Sequence, residues 1–211
     1  MSLSRAPRRS RSTSGRAILL TAVTLAGALT LTACGDENGG SKSSGSAGGN
    51  YVTGSSGVST VARGKRVDAP KLDGETVNGG TLDTTTLKGK VVVLNVWGSW
   101  CPPCRAEAKY FAKVSKEMTD AGEDVAFVGI NTRDNSKQNA TSFEETYGIT
   151  YPSLYDPDGK LVLRFPKGSL NPAAIPSTIV LDKEGKIAAR TLAAVNEEQL
   201  RGMIKPLLAE K

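Results

Sequence analysis

The stretch VVVLNVWGSWCPPCRAE, residues 91–107, decides how the rest of the chain is read. Val91 to Trp97 is a near-continuous apolar run, bounded by Gly89 and Gly98. Such a run suits a central strand covered on both faces. Cys101 and Cys104 follow, separated by Pro102 and Pro103. Proline is tolerated in the first turn of a helix, where no intrahelical N–H bond is lost, so the spacing predicts a helix starting at Pro102. A Cys-x-x-Cys pair at the end of a buried strand and the mouth of a helix is a redox signature.

The placement has a chemical reason. Cys101 falls near the N-cap, where its sulfur faces free backbone N–H groups and the positive end of the helix dipole. Both favour a thiolate. Cys104 lies one turn on and can reach back to close a disulfide. The two prolines remove two amide donors from that turn, which predicts a less acidic Cys101 than in a strongly oxidising site and favours a reductant. Glu107 shares a face of the helix with Cys104 at i, i+3, so its carboxylate is a candidate proton acceptor; the plain alternative is a solvated helix glutamate. The chain has no histidine, so no histidine triad or histidine-ligated zinc site is available to it. Structural zinc takes four Cys or His ligands, and only two cysteines lie in the expected folded part, so no metal and no cofactor are expected.

Outward from this stretch, the elements alternate. Residues 69–80 read as strand, turn, strand, with Asp73-Gly74 and Asn78-Gly79-Gly80 as turn signals; 81–89 reads as a short connection ending at Gly89. Helix-like spacing of Ala106, Ala108, Tyr110, Phe111, Val114 and Met118 covers 102–119. A buried strand is expected at 125–131, a helix at 136–147, a hairpin at 177–191 around Lys183-Glu184-Gly185, and a closing helix at 196–210 capped by Asn196. This is an α/β chain: right-handed crossovers make the first strands parallel, the hairpin adds antiparallel ones, and helices lie on both faces of a mixed central sheet.

The N-terminal third reads differently. Five arginines and no acid fill the first 16 residues, and residues 17–33 carry no charge, the layout of a secretory signal. Taking five cations from 27 Lys+Arg leaves 22 against 21 Asp+Glu, so the formal charge of +6 sits in the leader; nucleic acid is not an expected partner. Leu31-Thr32-Ala33-Cys34 resembles a bacterial lipobox, with Cys34 as the lipidated residue. Acyl chains there would bind a bilayer at about 0.8 kcal/mol per buried CH₂. An uncleaved span is the alternative, though 17 residues is short for one. Arg8-Arg9 is followed by a poor match to a twin-arginine signal. Residues 35–65 hold nine Gly and seven Ser in 31 positions, a composition expected to stay a flexible tether of roughly 30 Å mean reach. The expected domains are therefore 1–33 signal, 34–65 lipidated Cys34 and tether, and 66–211 folded domain with a β extension at its start.

Residues 91–107 resemble the active-site segment of the TlpA/ResA-like branch of the thioredoxin superfamily, and the likeness extends over about 66–211. The resemblance implies a thioredoxin-like fold and thiol–disulfide oxidoreductase activity. Cys101 would be the nucleophile, Cys104 the resolving cysteine and Glu107 the residue that tunes the pair. It places a cis-proline at Pro176, with Ile175 offering its backbone to the client, and sets Trp100 and Pro102 beside the client chain. Trp97 either frames the site or packs in the core. Asn95 stands where many thioredoxins have a buried Asp, which shifts proton transfer to Glu107 or water. The implied partners are protein disulfides, of apocytochrome c or oxidase-assembly type, and a membrane thiol-reducing electron donor. The protein would act as a monomer at the extracytoplasmic face of a bacterial membrane. Oxidation of secreted thiols is the alternative direction. A peroxiredoxin needs Thr or Ser where Gly98 stands, and a Sco-type copper chaperone needs Cys-x-x-x-Cys with a histidine, so neither fits.

Overall fold

The computed structural model describes residues 50–210, all of them within one compact unit. The arginine-rich leader, the apolar run, Cys34 and the first part of the expected tether lie outside the described residues. Among the described residues, nine strands and three α-helices occur in the order β1 (Tyr51–Thr53), β2 (Ser59–Val61), β3 (Asp73–Glu75), β4 (Thr81–Asp83), β5 (Val91–Trp97), α1 (Pro102–Asp120), β6 (Val125–Thr132), α2 (Lys137–Tyr147), β7 (Ser153–Asp156), β8 (Ser177–Leu181), β9 (Ile187–Thr191) and α3 (Glu197–Leu208).

Seven strands form one sheet in the order β1-β2-β9-β8-β5-β6-β7. β5, β6 and β7 are parallel, because α1 and α2 carry the chain across between them. β8 runs antiparallel to β5, and the hairpin places β9 antiparallel to β8. Every residue of β5 is buried, as a strand with neighbours on both edges and cover on both faces requires. Val91 and Val93 point to one face and meet Phe111, Val114 and Met118 of α1 with Leu200, Met203 and Ile204 of α3. Val92, Leu94 and Val96 point to the other and meet Leu72, Val162, Phe165 and Leu170. That second face is closed by loops and two 3-10 turns, Thr84–Leu87 and Val162–Arg164, where helices on both faces of the sheet were expected.

The helices carry the expected punctuation. Asn196 and Gln199 form a reciprocal capping box at the start of α3. Gly148 ends α2 in the left-handed conformation, at φ 69°. Along α1 the buried positions are Cys104, Glu107, Ala108, Phe111, Val114, Ser115 and Met118; Ala106 is exposed and Tyr110 half-buried, so the true stripe is rotated slightly from the expected one.

Two expectations change. Residues 50–65, assigned to the tether on composition, are folded: β1 pairs with β2, and β2 with β9. Strand pairing is made by backbone groups that a Ser/Gly-rich stretch still carries. The Arg190 guanidinium lies 3.7 Å from the centre of the Tyr51 ring, and Ser59 and Val61 are buried. Arg66 fastens this segment further, bonding Asp182 at 2.9 Å and Glu210 at 2.6 Å. The folded domain therefore includes Tyr51–Lys65, upstream of the expected start at Arg66. Second, Asp73-Gly74 is not a turn but part of β3, which pairs with β4; the turn of that hairpin is Thr76–Gly80, with Gly79 at φ 84°.

Candidate active site

β5 ends at Trp97 and α1 begins at Pro102, so the sheet delivers Cys101 to the helix mouth. Cys101 is the N-cap residue, with extended backbone angles, and Pro102 and Pro103 occupy the first turn. Cys101 and Cys104 are joined in a disulfide, S–S 2.06 Å, with Cα atoms 5.3 Å apart. With Pro102 and Pro103 lacking N–H groups, the amide of Cys104 is the donor to the Cys101 sulfur, at 3.2 Å. Cys101 and Cys104 are only 2% and 1% exposed, whereas Trp100 beside them is 47% exposed.

The facing wall is the start of β8. The Ile175–Pro176 peptide is cis, and the Ile175 carbonyl oxygen lies 3.8 Å from the Cys101 sulfur. Pro102 is on the surface of the first turn. The fold thus brings Cys101, Cys104, Pro102, Trp100, Ile175 and Pro176 into one region. Trp97 is different: it is buried and stacked on Phe143 of α2, ring centres 4.3 Å apart, so it belongs to the core.

Glu107 is 1% exposed, which is far from a solvated helix glutamate. One carboxylate oxygen accepts from Asn95 Nδ2 and the other from the Val195 N–H, both at 2.9 Å. Burial pushes its carboxyl up to about 7, against the lowering effect of the Val195 and Asn95 hydrogen bonds. A carboxyl poised near neutrality can take or give a proton at physiological pH. Asn95 also lines a cavity of about 10 Å³ that touches Cys104, Trp97, Phe143 and Tyr151, room for about one water. Glu107 lies just outside that space, joined to it by the Asn95 hydrogen bond.

Sequence reasoning missed the segment that clamps the active-site turn. Asp134, just past β6, is buried. Its Oδ1 accepts from Ser99 Oγ at 2.5 Å, and its Oδ2 from the Ser99 N–H at 2.9 Å and Asn131 Nδ2 at 2.5 Å. Gly98 is packed so closely that a Cβ would meet Trp100 Nε1 at 2.8 Å and the Thr132 carbonyl oxygen at 3.1 Å. Arg133 lies over the Trp100 ring. The contacts from Gly98, Ser99 and Trp100 to Thr132, Asp134 and Arg133 join residues more than thirty positions apart, and no local pattern announces them.

Residues 62–204 match the Redoxin family. The chain is 30% identical over 142 residues to the thiol-disulfide oxidoreductase ResA of Bacillus subtilis, covering 66% of this chain and 75% of that one. It is 36% identical over 146 residues to the thiol:disulfide interchange protein DsbE of Yersinia pestis, covering 68% of this chain and 71% of that one. A secreted thiol-disulfide isomerase from Corynebacterium glutamicum superposes with a TM-score of 0.69 at 30% identity, over 78% of this chain and 100% of that one.

Proposed function

The chain belongs to the Redoxin family and is a thiol–disulfide oxidoreductase with a Cys-x-x-Cys pair, and on that premise we propose that it reduces client disulfides outside the cytoplasm while held to the membrane by lipid on Cys34. The observation that carries the chemistry is the Cys101–Cys104 disulfide at the mouth of α1, with the Cys104 amide directed at the Cys101 sulfur.

In the reduced protein, the Cys101 thiolate attacks one sulfur of a client disulfide. A Cys101–client bond forms, the client S–S bond breaks, and the departing client sulfur takes up a proton. Glu107, directly or through water, accepts the Cys104 proton. The Cys104 thiolate then attacks Cys101, closes the intramolecular disulfide and expels the second client thiolate, which is protonated in turn. The client gains two electrons and the Cys101–Cys104 pair loses them; a membrane-bound dithiol donor returns them. Ile175 and Pro176 present backbone to the client chain opposite Cys101.

The reducing direction rests on Pro102 and Pro103, which leave the helix mouth short of thiolate-stabilising amides. The ResA- and DsbE-like sequence favours clients of the cytochrome c maturation or oxidase-assembly kind. Location outside the cytoplasm is supported by the secreted relative and by the leader-like N-terminus; lipidation rests on Leu31-Thr32-Ala33-Cys34. A Cys104→Ser variant tests the function directly. It should accumulate a mixed disulfide between Cys101 and its client, identifiable by mass spectrometry after non-reducing isolation. A variant that captures no protein while Cys101 stays reactive to alkylation contradicts the reading.

A further inference from the structure

Arg133 stands out by its backbone. Among the described residues it is the one non-glycine residue with positive φ, 58°. A left-handed conformation disfavours a side chain that has a Cβ and persists where the surroundings over-determine it, often at functional sites. Here the surroundings are Asp134, which ties the chain after Arg133 to Ser99 of the active-site turn, and Asn131, which bonds Asp134 across Arg133. The result is a fixed, exposed guanidinium. It lies 5.2 Å from the centre of the Trp100 ring and donates to the Ala173 carbonyl at 3.4 Å. Arg133 therefore bridges the two walls of the client site: the turn before Cys101 and the loop leading to Ile175–Pro176.

A second exposed guanidinium flanks the same turn. Arg105 donates through Nε to the Ser99 carbonyl at 2.8 Å. Arg63, Arg66, Arg164 and Arg201 are each paired with a carboxylate. For Arg105 and Arg133, no carboxylate lies within ion-pairing distance among the described residues; both are anchored to main-chain carbonyls, which orient the charge without neutralising it. Between Trp100, Arg105 and the Asn139, Ser142 and Thr146 side of α2 lies an open groove of about 530 Å³.

We infer that Arg133 and Arg105 select clients whose reactive cysteine is flanked by carboxylates, with the acidic client segment lying across Trp100. This rests on the oxidoreductase reading above and adds the substrate class. Two oriented, solvent-facing cations each contribute modestly to an exposed pair, so together they should favour an acidic over a basic client by about tenfold at low salt. Screening of exposed charges should erase most of that at ~1 M salt.

The test uses the reduced full chain and two disulfide-bonded peptides, alike except that glutamates or lysines flank one cysteine. Each reduction rate is divided by the dithiothreitol rate on the same peptide, which removes the effect of the flanking charges on the disulfide itself. The wild type should prefer the glutamate peptide. Arg133→Gln and Arg105→Gln should each shrink the ratio, and Arg133→Glu should bring it to one or below. Arg133→Lys should keep part of it. Should Arg133→Glu fail to fold, Arg105→Gln alone still decides. Equal rates for the two peptides, or a preference unmoved by either glutamine variant, overturns the inference while leaving the oxidoreductase intact. Reduction of neither peptide overturns both.

Discussion

Replacing Glu107 with Gln should change how stability depends on pH, and the structure gives the size of the change. The carboxyl is held at about 7 in the folded protein against an ordinary 4.5, chiefly because burial disfavours the charged form. The folded state therefore binds this proton more tightly than the unfolded state. Its stabilising effect is complete below pH 4.5 and is lost as pH rises through about 7, where the buried group must ionise. At 1.36 kcal/mol per unit, the shift amounts to about 3 kcal/mol, a large part of the 5–15 kcal/mol by which domains are usually stable. Glutamine cannot ionise, so it escapes this loss. Any fixed cost of altering the bonds to Asn95 and Val195 is the same at every pH and drops out of the slope. Glu144, also buried and raised by desolvation, titrates alike in both proteins. The assay is urea denaturation of the oxidised wild type and variant from pH 4 to 8; the disulfide keeps both cysteines out of the titration. The variant should gain about 3 kcal/mol relative to the wild type across that range. Parallel curves, or a variant that falls behind as pH rises, would refute the assignment of a neutral buried carboxyl.

Asn95→Asp places a second carboxyl 2.9 Å from Glu107. Like charges that close cannot both ionise readily, so the neutral limb of the pH–rate profile for disulfide exchange should move to higher pH. Gly129→Ala puts a Cβ 2.0 Å from Ser153 Oγ and 2.7 Å from Trp97 Nε1. Overpacking at that β6–β7 seam should cost about 1–3 kcal/mol, with a change in tryptophan fluorescence. Arg66→Ala strands Asp182, whose side chain is 3% exposed. Removing one partner of a buried ion pair costs about 3–5 kcal/mol, and calorimetry should record a correspondingly lower melting temperature.

The parts of this fold legible in the sequence are those whose burial is periodic. Val91–Trp97 and Val125–Thr132 announce themselves as apolar runs, and Asn196 announces α3 through its cap. β2 was not legible because its membership is decided by backbone pairing with β9, and Ser59-Thr60-Val61 looks the same as a linker. β7 is short and half polar, and its place beside β6 depends on the α2 crossover. Asp73-Gly74 carries turn chemistry but is held extended by β4. At the site, Cys101, Cys104 and Glu107 follow from spacing along one helix. Asp134 and Val195 touch the site only because the sheet brings β6 beside β5 and β9 one strand further, beyond β8, and no spacing rule encodes that.

The central claim is that the Cys101–Cys104 bond opens and closes in service. The direct measurement is the reduction potential of the pair, read by counting free thiols against graded ratios of reduced and oxidised dithiothreitol. A single two-electron transition near the −270 mV typical of reducing thioredoxins, well below the −120 mV of a strong oxidant, is expected to within about 30 mV. A bond that stays closed below about −300 mV, as structural disulfides do, would contradict it.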